Sequence, residues 1–193
     1  VGPAGQGTLV RVDDRSIASE GSVSVIDLTV RSPQSAVASP QPNSDRPGTA
    51  DSGLETEILT GLHACALALS PNGKFLVVAN AGSDTLSVID TRTDKIVETI
   101  CARQNPADLF GAQPNALAFN KSGKKLFVCN GTQNAVAVFK FDPGESKLLG
   151  LIPVGWFPGS IAFDAERKQL DVANIKSSVP RRPSLMGKME FNT

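Results

Sequence analysis

The hydrophobic pattern of this chain repeats. Apolar residues fall at alternate positions in "ALALSPNGKFLVVAN" from Ala66, again in "ALAFNKSGKKLFVCN" from Ala116, and again in "SIAFDAERKQLDVAN" from Ser160. When the three are superposed, Leu67 coincides with Leu117 and Ile161, and Leu69 with Phe119 and Phe163. Leu76 coincides with Leu126 and Leu170, Val78 with Val128 and Val172, and Asn80 with Asn130 and Asn174. A period of two is that of a strand with one buried face. Pro71-Asn72-Gly73 and Lys121-Ser122-Gly123 supply the turn chemistry between two such strands. The first two copies continue into a third strand, "TLSVID" from Thr85 or "AVAVFK" from Ala135, then a turn and a fourth, in "TRTDKIVETI" or "FDPGESKLLGLI". The predicted unit is a four-stranded antiparallel meander of about 40 to 50 residues, the signature of a propeller blade.

The opening stretch fits the same frame. "GSVSVIDL" from Gly21 matches the third strand of a blade, "TLVRV" from Thr8 is read as the second, and "LETEILTG" from Leu54 as the fourth. Between them, residues 29–53 are rich in Pro, Ser and Gly and nearly free of large apolar side chains, which predicts a disordered insertion. The organisation expected is a partial blade over residues 1–28, the insertion, and the blade's last strand over 54–62. A blade with a long loop follows over 63–113, a second blade over 114–157, a half blade over 158–176 and an irregular tail over 177–193. The fold class is all-β, a partial propeller of about three blade equivalents whose ring does not close, because closed propellers hold roughly four to eight blades. Such an arc is either a fragment of a longer product or a subunit that assembles with other chains. Exposed strand edges at its ends template association.

Composition narrows the function classes. In 193 residues, 19 basic side chains balance 19 acidic ones, so nothing supplies the basic footprint that nucleic acid requires. No apolar stretch approaches the roughly 18 to 20 residues of a membrane-spanning helix. The chain opens on Val1, and its terminus carries no readable address. Three cysteines, Cys65, Cys101 and Cys129, show no metal-binding spacing, and Cys129 takes the position of Ala79 and Ala173, where a small buried hydrophobe is expected. His63 is the only histidine, so neither a Ser-His-Asp triad beyond it nor a multi-histidine metal site is indicated. Asp13-Asp14, Asp142 and Glu145 are read as turn residues, and Asn80, Asn130 and Asn174 as strand-end residues that bond neighbouring groups. No phosphate loop, zinc-protease or nucleophile-elbow motif is present, and no catalytic residue, cofactor or metal is expected.

The phrases "LSPNGKFLVVANAGSDTLSVIDTRTDKIVETI" and "PNALAFNKSGKKLFVCNGTQNAVAVF" resemble the YVTN-type β-propeller repeats of surface-layer-like and lactonase-like proteins, with "VVAN" and "FVCN" where that motif has Tyr-Val-Thr-Asn. More narrowly, "DLFGAQPNALAF" and "LIPVGWFPGSIAFDAERKQLDVANIK" resemble bacterial proteins in which such a propeller precedes a phosphoesterase domain of the alkaline phosphatase superfamily. The resemblance implies a propeller fold, a periplasmic or secreted location, and a fused or associated phosphoesterase domain that this chain does not contain.

Loops on a rigid scaffold carry function. In a meander, the connection from a fourth strand to the next first strand emerges on the same face as the turn between second and third strands. That face is expected to carry His63, then Arg103, Asp108, Gln113 and Asn115 in "CARQNPADLFGAQPN", then Trp156 in "GWFPG". These six are the candidate ligand-binding residues; for Trp156, packing between blades is an equal alternative. Three functions remain open. The first is a non-catalytic module that recognises a protein, glycan or small molecule or scaffolds a fused enzyme. The others are a fragment of a phosphoesterase- or lactonase-type hydrolase, and a structural envelope or surface-layer component.

Overall fold

The computed structural model describes residues 20–27, 54–109 and 111–176. Thr8–Val12, Asp13-Asp14, the insertion at 29–53 and the tail at 177–193 lie outside them. The described residues form strands and turns with no helix. The strands are β1 (Gly21–Ile26), β2 (Leu54–Thr60), β3 (Ala64–Leu69), β4 (Phe75–Asn80), β5 (Thr85–Asp90), β6 (Lys95–Cys101), β7 (Pro114–Phe119), β8 (Lys125–Asn130), β9 (Ala135–Lys140), β10 (Lys147–Pro153), β11 (Pro158–Asp164) and β12 (Gln169–Asn174). They pair antiparallel into two four-stranded meanders, β3-β4-β5-β6 and β7-β8-β9-β10, flanked by two hairpin-sized sheets, β1-β2 and β11-β12. This is an unclosed propeller arc, as the repeat predicts.

Local chemistry explains the repetition. In the β3–β4 turn, the amide of Gly73 donates to the Ser70 carbonyl at 2.8 Å, and the Ser70 hydroxyl accepts from the Phe75 amide at 3.0 Å. Gly73 holds φ at 71°, a conformation that favours a residue without Cβ. Gly123 repeats it at 71° in the β7–β8 turn. Each first strand also carries a register shift one residue in, between Ala64 and Ala66, Pro114 and Ala116, and Pro158 and Ser160. The extra residue at these bulges is Cys65, Asn115 or Gly159.

The blades share cores rather than each owning one. Val77, Ala79, Leu86, Val88 and Ile100 from the first meander pack with Leu126, Val128, Ala137, Phe139 and Phe141 from the second. Phe119 meets Phe141 edge-on, with ring centroids 4.9 Å apart. The other face of the first meander, Val78 and Ile89, packs on Val23 and Ile58 of the β1-β2 sheet. The far face of the second, Ala116, Phe127, Cys129 and Val136, packs on Ile161, Phe163, Leu170 and Val172 of β11-β12. First strands stand side by side, β3 next to β7 and β7 next to β11.

One expectation is corrected here. Leu67 and Leu69 align with core positions, yet both are 57% exposed. Their counterparts Leu117 and Phe119 are covered because they face a complete preceding meander, whereas β3 faces a sheet that holds only β1 and β2 among the described residues.

The readings of Cys129, Asn80 and Asn130 hold. Cys129 is fully buried, and burial pushes its thiol up to about 11. Burial also raises the Cys65 thiol, but that residue is exposed at its bulge. A thiol reagent at pH 8 is therefore expected to label Cys65 at least 100-fold faster than Cys129 in the folded chain, because both access and thiolate fraction favour Cys65. Equal rates in a mass-spectrometric time course would show that the third core is open. The Asn80 amide donates to Thr85 Oγ1 at 3.2 Å and Ser87 Oγ at 2.9 Å. That of Asn130 donates to the Ala102 carbonyl at 2.8 Å and to Gln133 Oε1 at 2.9 Å. Both side chains are buried fasteners of the fold.

Candidate functional site

Three connections meet on one face, and a repeated latch holds each against the turn that follows its own first hairpin. His63, Gln113 and Phe157 occupy the same position of the repeat and all adopt left-handed backbone, with φ of 57°, 51° and 58°. Their carbonyls accept from Ala81 N at 3.0 Å, Gly131 N at 3.0 Å and Ile175 N at 2.8 Å, respectively. The slot is defined by backbone geometry and leaves the side chain free to vary, so a histidine, a glutamine and a phenylalanine share it.

A second device ties the second and third of these connections to the blade before them. Asp84, 3% exposed, accepts from the Gly111 amide at 2.6 Å through Oδ2 and from the Gln113 amide at 2.8 Å through Oδ1. Its own carbonyl accepts from Ala102 N at 2.8 Å. Asn134 is its counterpart in the next blade: its Oδ1 accepts from the Phe157 amide at 2.9 Å and its carbonyl from Val154 N at 2.9 Å. Both residues sit at positive φ, 54° and 52°, which Asp and Asn tolerate better than other side chains. Asp84 was not among the candidates read from the sequence. The signal was present in "NAGSD" and "NGTQN", where a short polar residue recurs four positions after the strand-ending asparagine.

The candidates are placed as follows. Arg103 Nη1 donates to the Asp108 carbonyl, and the Asp108 carboxylate accepts from the Asn105 amide at 3.2 Å, so these two close their own loop. Thr132 Oγ1 donates to the Gly111 carbonyl and joins the loop's end to the next turn. Asn115 stands at its bulge beside Gly131 and Phe157, where a Cβ added to Gly131 would lie 2.6 Å from Asn115 Nδ2. Neither its amide nitrogen nor its amide oxygen has a protein partner, although both atoms are buried. Trp156 is 54% exposed, with the Lys176 ammonium 4.9 Å from its ring centroid. His63 lies over Gly82 on the first connection. The contacts bring Arg103 together with Asp108, while His63 and Trp156 stand on the connections to either side. Among the described residues, no group of three or more His, Cys, Asp or Glu side chains is arranged to hold a metal ion. No described helix is long and apolar enough to cross a membrane.

Residues 18–152 match the family model described as lactonase, 7-bladed beta-propeller. No curated protein sequence matches the chain. Among solved structures, Kuenenia stuttgartiensis hydrazine synthase is similar at 26% identity and a TM-score of 0.51, over 57% of this chain and 29% of that one. A protein from Lactobacillus plantarum is similar at 24% identity and a TM-score of 0.55, over 63% of this chain and 38% of that one. A candidate 6-phosphogluconolactonase from Bacteroides uniformis is similar at 23% identity and a TM-score of 0.51, over 67% of this chain and 39% of that one. The chain thus spans between 29% and 39% of the length of these three structures.

Proposed function

Because the chain belongs to the lactonase family of seven-bladed β-propellers, we propose that it is a propeller sector that recognises a ligand or protein partner through the face carrying His63, Arg103, Asp108, Gln113, Asn115 and Trp156. The observation that carries this reading is the latch system. Asp84 and Asn134 fix successive connections from one blade to the next, so that side chains on different loops are held on one rigid rim. Preorganised loops lose little freedom on binding. On that rim Arg103 offers a planar cation for a carboxylate or phosphate and Trp156 offers a half-exposed ring for stacking on a sugar or a base. The sequence resemblance to propellers that precede a phosphoesterase domain supports a further role in positioning a fused enzyme. The family match favours one alternative, a portion of a lactonase-type hydrolase whose remaining residues lie on blades this chain does not supply.

Trp156 is the sole tryptophan and the chain has no tyrosine, so its fluorescence reports directly on the rim. Titration with a panel of sugar phosphates and aldonates, 6-phosphogluconate included, is expected to quench or shift that emission saturably. Arg103→Ala should weaken the response about tenfold, the size of one charged contact near 1.4 kcal/mol, without moving the melting curve. Lys74→Ala in a turn of the opposite face should leave it unchanged. A response lost in Lys74→Ala and retained in Arg103→Ala would move recognition to the opposite face. Hydrolysis of 6-phosphogluconolactone by the purified chain would favour the hydrolase reading.

A further inference from the structure

Each first-strand bulge stands against the residue that follows the strand-ending asparagine of the same repeat. Cys65 lies against the backbone of Ala81. A Cβ added to Gly131 would come within 2.6 Å of Asn115 Nδ2, and one added to Gly159 would collide with Ile175 Cδ1. The two members of each pair thus fill one slot between them, Cys with Ala, Asn with Gly and Gly with Ile. The first and third repeats fill it without a carboxamide, so the fold does not require one. In the second, the glycine at 131 clears the room that Asn115 occupies.

That carboxamide is covered and unused. Among the described residues, no other buried side-chain amide is unpaired at both its nitrogen and its oxygen; Asn80 and Asn130 each spend their Nδ2 within the fold. Covering an amide without pairing it opposes folding, and such a group in a native structure calls for a use outside the fold. Bulges re-aim side chains beside binding sites. The cover is Phe157. A Cβ at Gly131 would lie 2.8 Å from Phe157 Cζ, so the ring tip and the amide nitrogen of Asn115 close over the same glycine.

Because both amide atoms are already enclosed, a partner of any origin reaches them only by displacing a wall, and the Phe157 ring is the wall free to move. Its backbone is fixed: the amide donates to Asn134 Oδ1 at 2.9 Å and the carbonyl accepts from Ile175 N at 2.8 Å, at a φ of 58°. Neither bond uses the side chain, so the ring can turn about its Cα–Cβ bond with the connection still latched. The Lys176 ammonium stands 5.5 Å from the Phe157 ring centroid and 4.9 Å from that of Trp156. The cover therefore lies beside the half-exposed Trp156 on the rim.

We infer that Asn115 is a ligand-binding residue gated by the Phe157 ring, and that it takes an uncharged group presenting a donor and an acceptor side by side, a primary amide or a pair of vicinal hydroxyls. A carboxamide answers both at once. A carboxylate or phosphate, with acceptors only, would satisfy Nδ2 and set negative charge against Oδ1. The inference rests on the recognition face proposed above and adds a neutral contact to the cationic one of Arg103. Without ligand, Asn115→Cys, which copies Cys65, is expected to raise the melting midpoint of the chain by about 2 to 4 °C, because the unpaired amide is gone and the slot stays filled. A midpoint unchanged or lowered would show that the carboxamide serves the fold, and overturns the inference. With ligand, heteronuclear NMR follows the side-chain amide signals of Asn115, identified by their loss in Asn115→Cys, during titration with gluconamide. They should shift saturably, and Phe157→Ala, which removes the cover, should bind at least fivefold tighter with parent-like circular dichroism. If that variant does not fold, Phe157→Leu, which shortens the cover, serves in its place. Xylitol and propionamide, carrying the hydroxyls or the amide alone, distinguish the two sources of the group, and inorganic phosphate should leave the signals in place. No saturable shift in either the parent or the uncovered variant, or a shift with phosphate instead, overturns the inference. A chain that shows the Asn115 shift with gluconamide and no Trp156 response to sugar phosphates would lose the anion contact of that face and keep this one; the reverse result would do the opposite.

Discussion

Replacing Phe139 by alanine is expected to lower stability by about 3 to 5 kcal/mol, the range for deleting a buried aromatic ring. The ring is 1% exposed and belongs to the core shared by the two complete meanders. Phe119→Ala, at a half-buried position, should cost less despite the edge contact with Phe141. Lys125→Ala, at an exposed position, should cost well under 1 kcal/mol. Urea denaturation gives the order directly. Because Phe139 fills a cavity between sheets and not within one, its loss should also reduce amide hydrogen-exchange protection in β4 and β5 as well as in β8 and β9. Loss confined to β7–β10 would show that the meanders open independently, and equal effects at Phe119 and Lys125 would mean that the strand register is wrong.

That shared core explains what was legible in the sequence. Period-two alternation depends only on neighbours in one strand, and it identified each hairpin. Leu126 and Val128 are fully buried where the pattern places them. Leu67 and Leu69 have the same pattern and are exposed, because this face of a blade is covered by the preceding blade and not by its own strand. Periodicity reports that a face is apolar, and the neighbour decides whether it is buried.

The face of the candidate site was legible for a similar reason. Strand direction alternates, so the connections at His63, Arg103 to Asn115 and Trp156 had to emerge together with the turns at Asp84 and Asn134. What holds them there was legible only as a recurrence, a short polar residue four positions after Asn80 and after Asn130, and not as a contact. His63, Gln113 and Phe157 share a backbone slot that demands positive φ and imposes nothing on the side chain, so their differing chemistry disguised a common position. Asp84 reaches amides 27 and 29 positions downstream, a separation at which no local pattern survives.

Asp84 is accordingly the residue outside the apolar core whose replacement should cost most. Two effects act on Asp84→Ala. The first is loss of a buried acceptor that takes both the Gly111 and the Gln113 amides, each such charge-assisted bond being worth about 1.5 to 3 kcal/mol. The second is strain, since φ at this position is 54°, which alanine adopts at a cost of about 1 kcal/mol. Three variants separate them. Asp84→Gly removes the acceptor and not the conformation, and should cost about 3 to 6 kcal/mol, the sum of the two bonds. Asp84→Ala should cost about 1 kcal/mol more than glycine. Asp84→Asn keeps the left-handed conformation and one acceptor oxygen, as Asn134 does naturally toward Phe157, and should cost about half as much as glycine. The expected order of midpoints in urea is therefore parent, Asn, Gly, Ala. The same series should loosen the loop from Ala102 to Gln113 before the chain unfolds, which limited proteolysis near Arg103 would detect as cleavage rising in the order Asn, Gly, Ala. Glycine with parent-like stability and an uncleaved loop would mean that the carboxylate does not hold the connection, and that the rim carrying Arg103 and Asp108 is fixed by something other than the latch at Asp84.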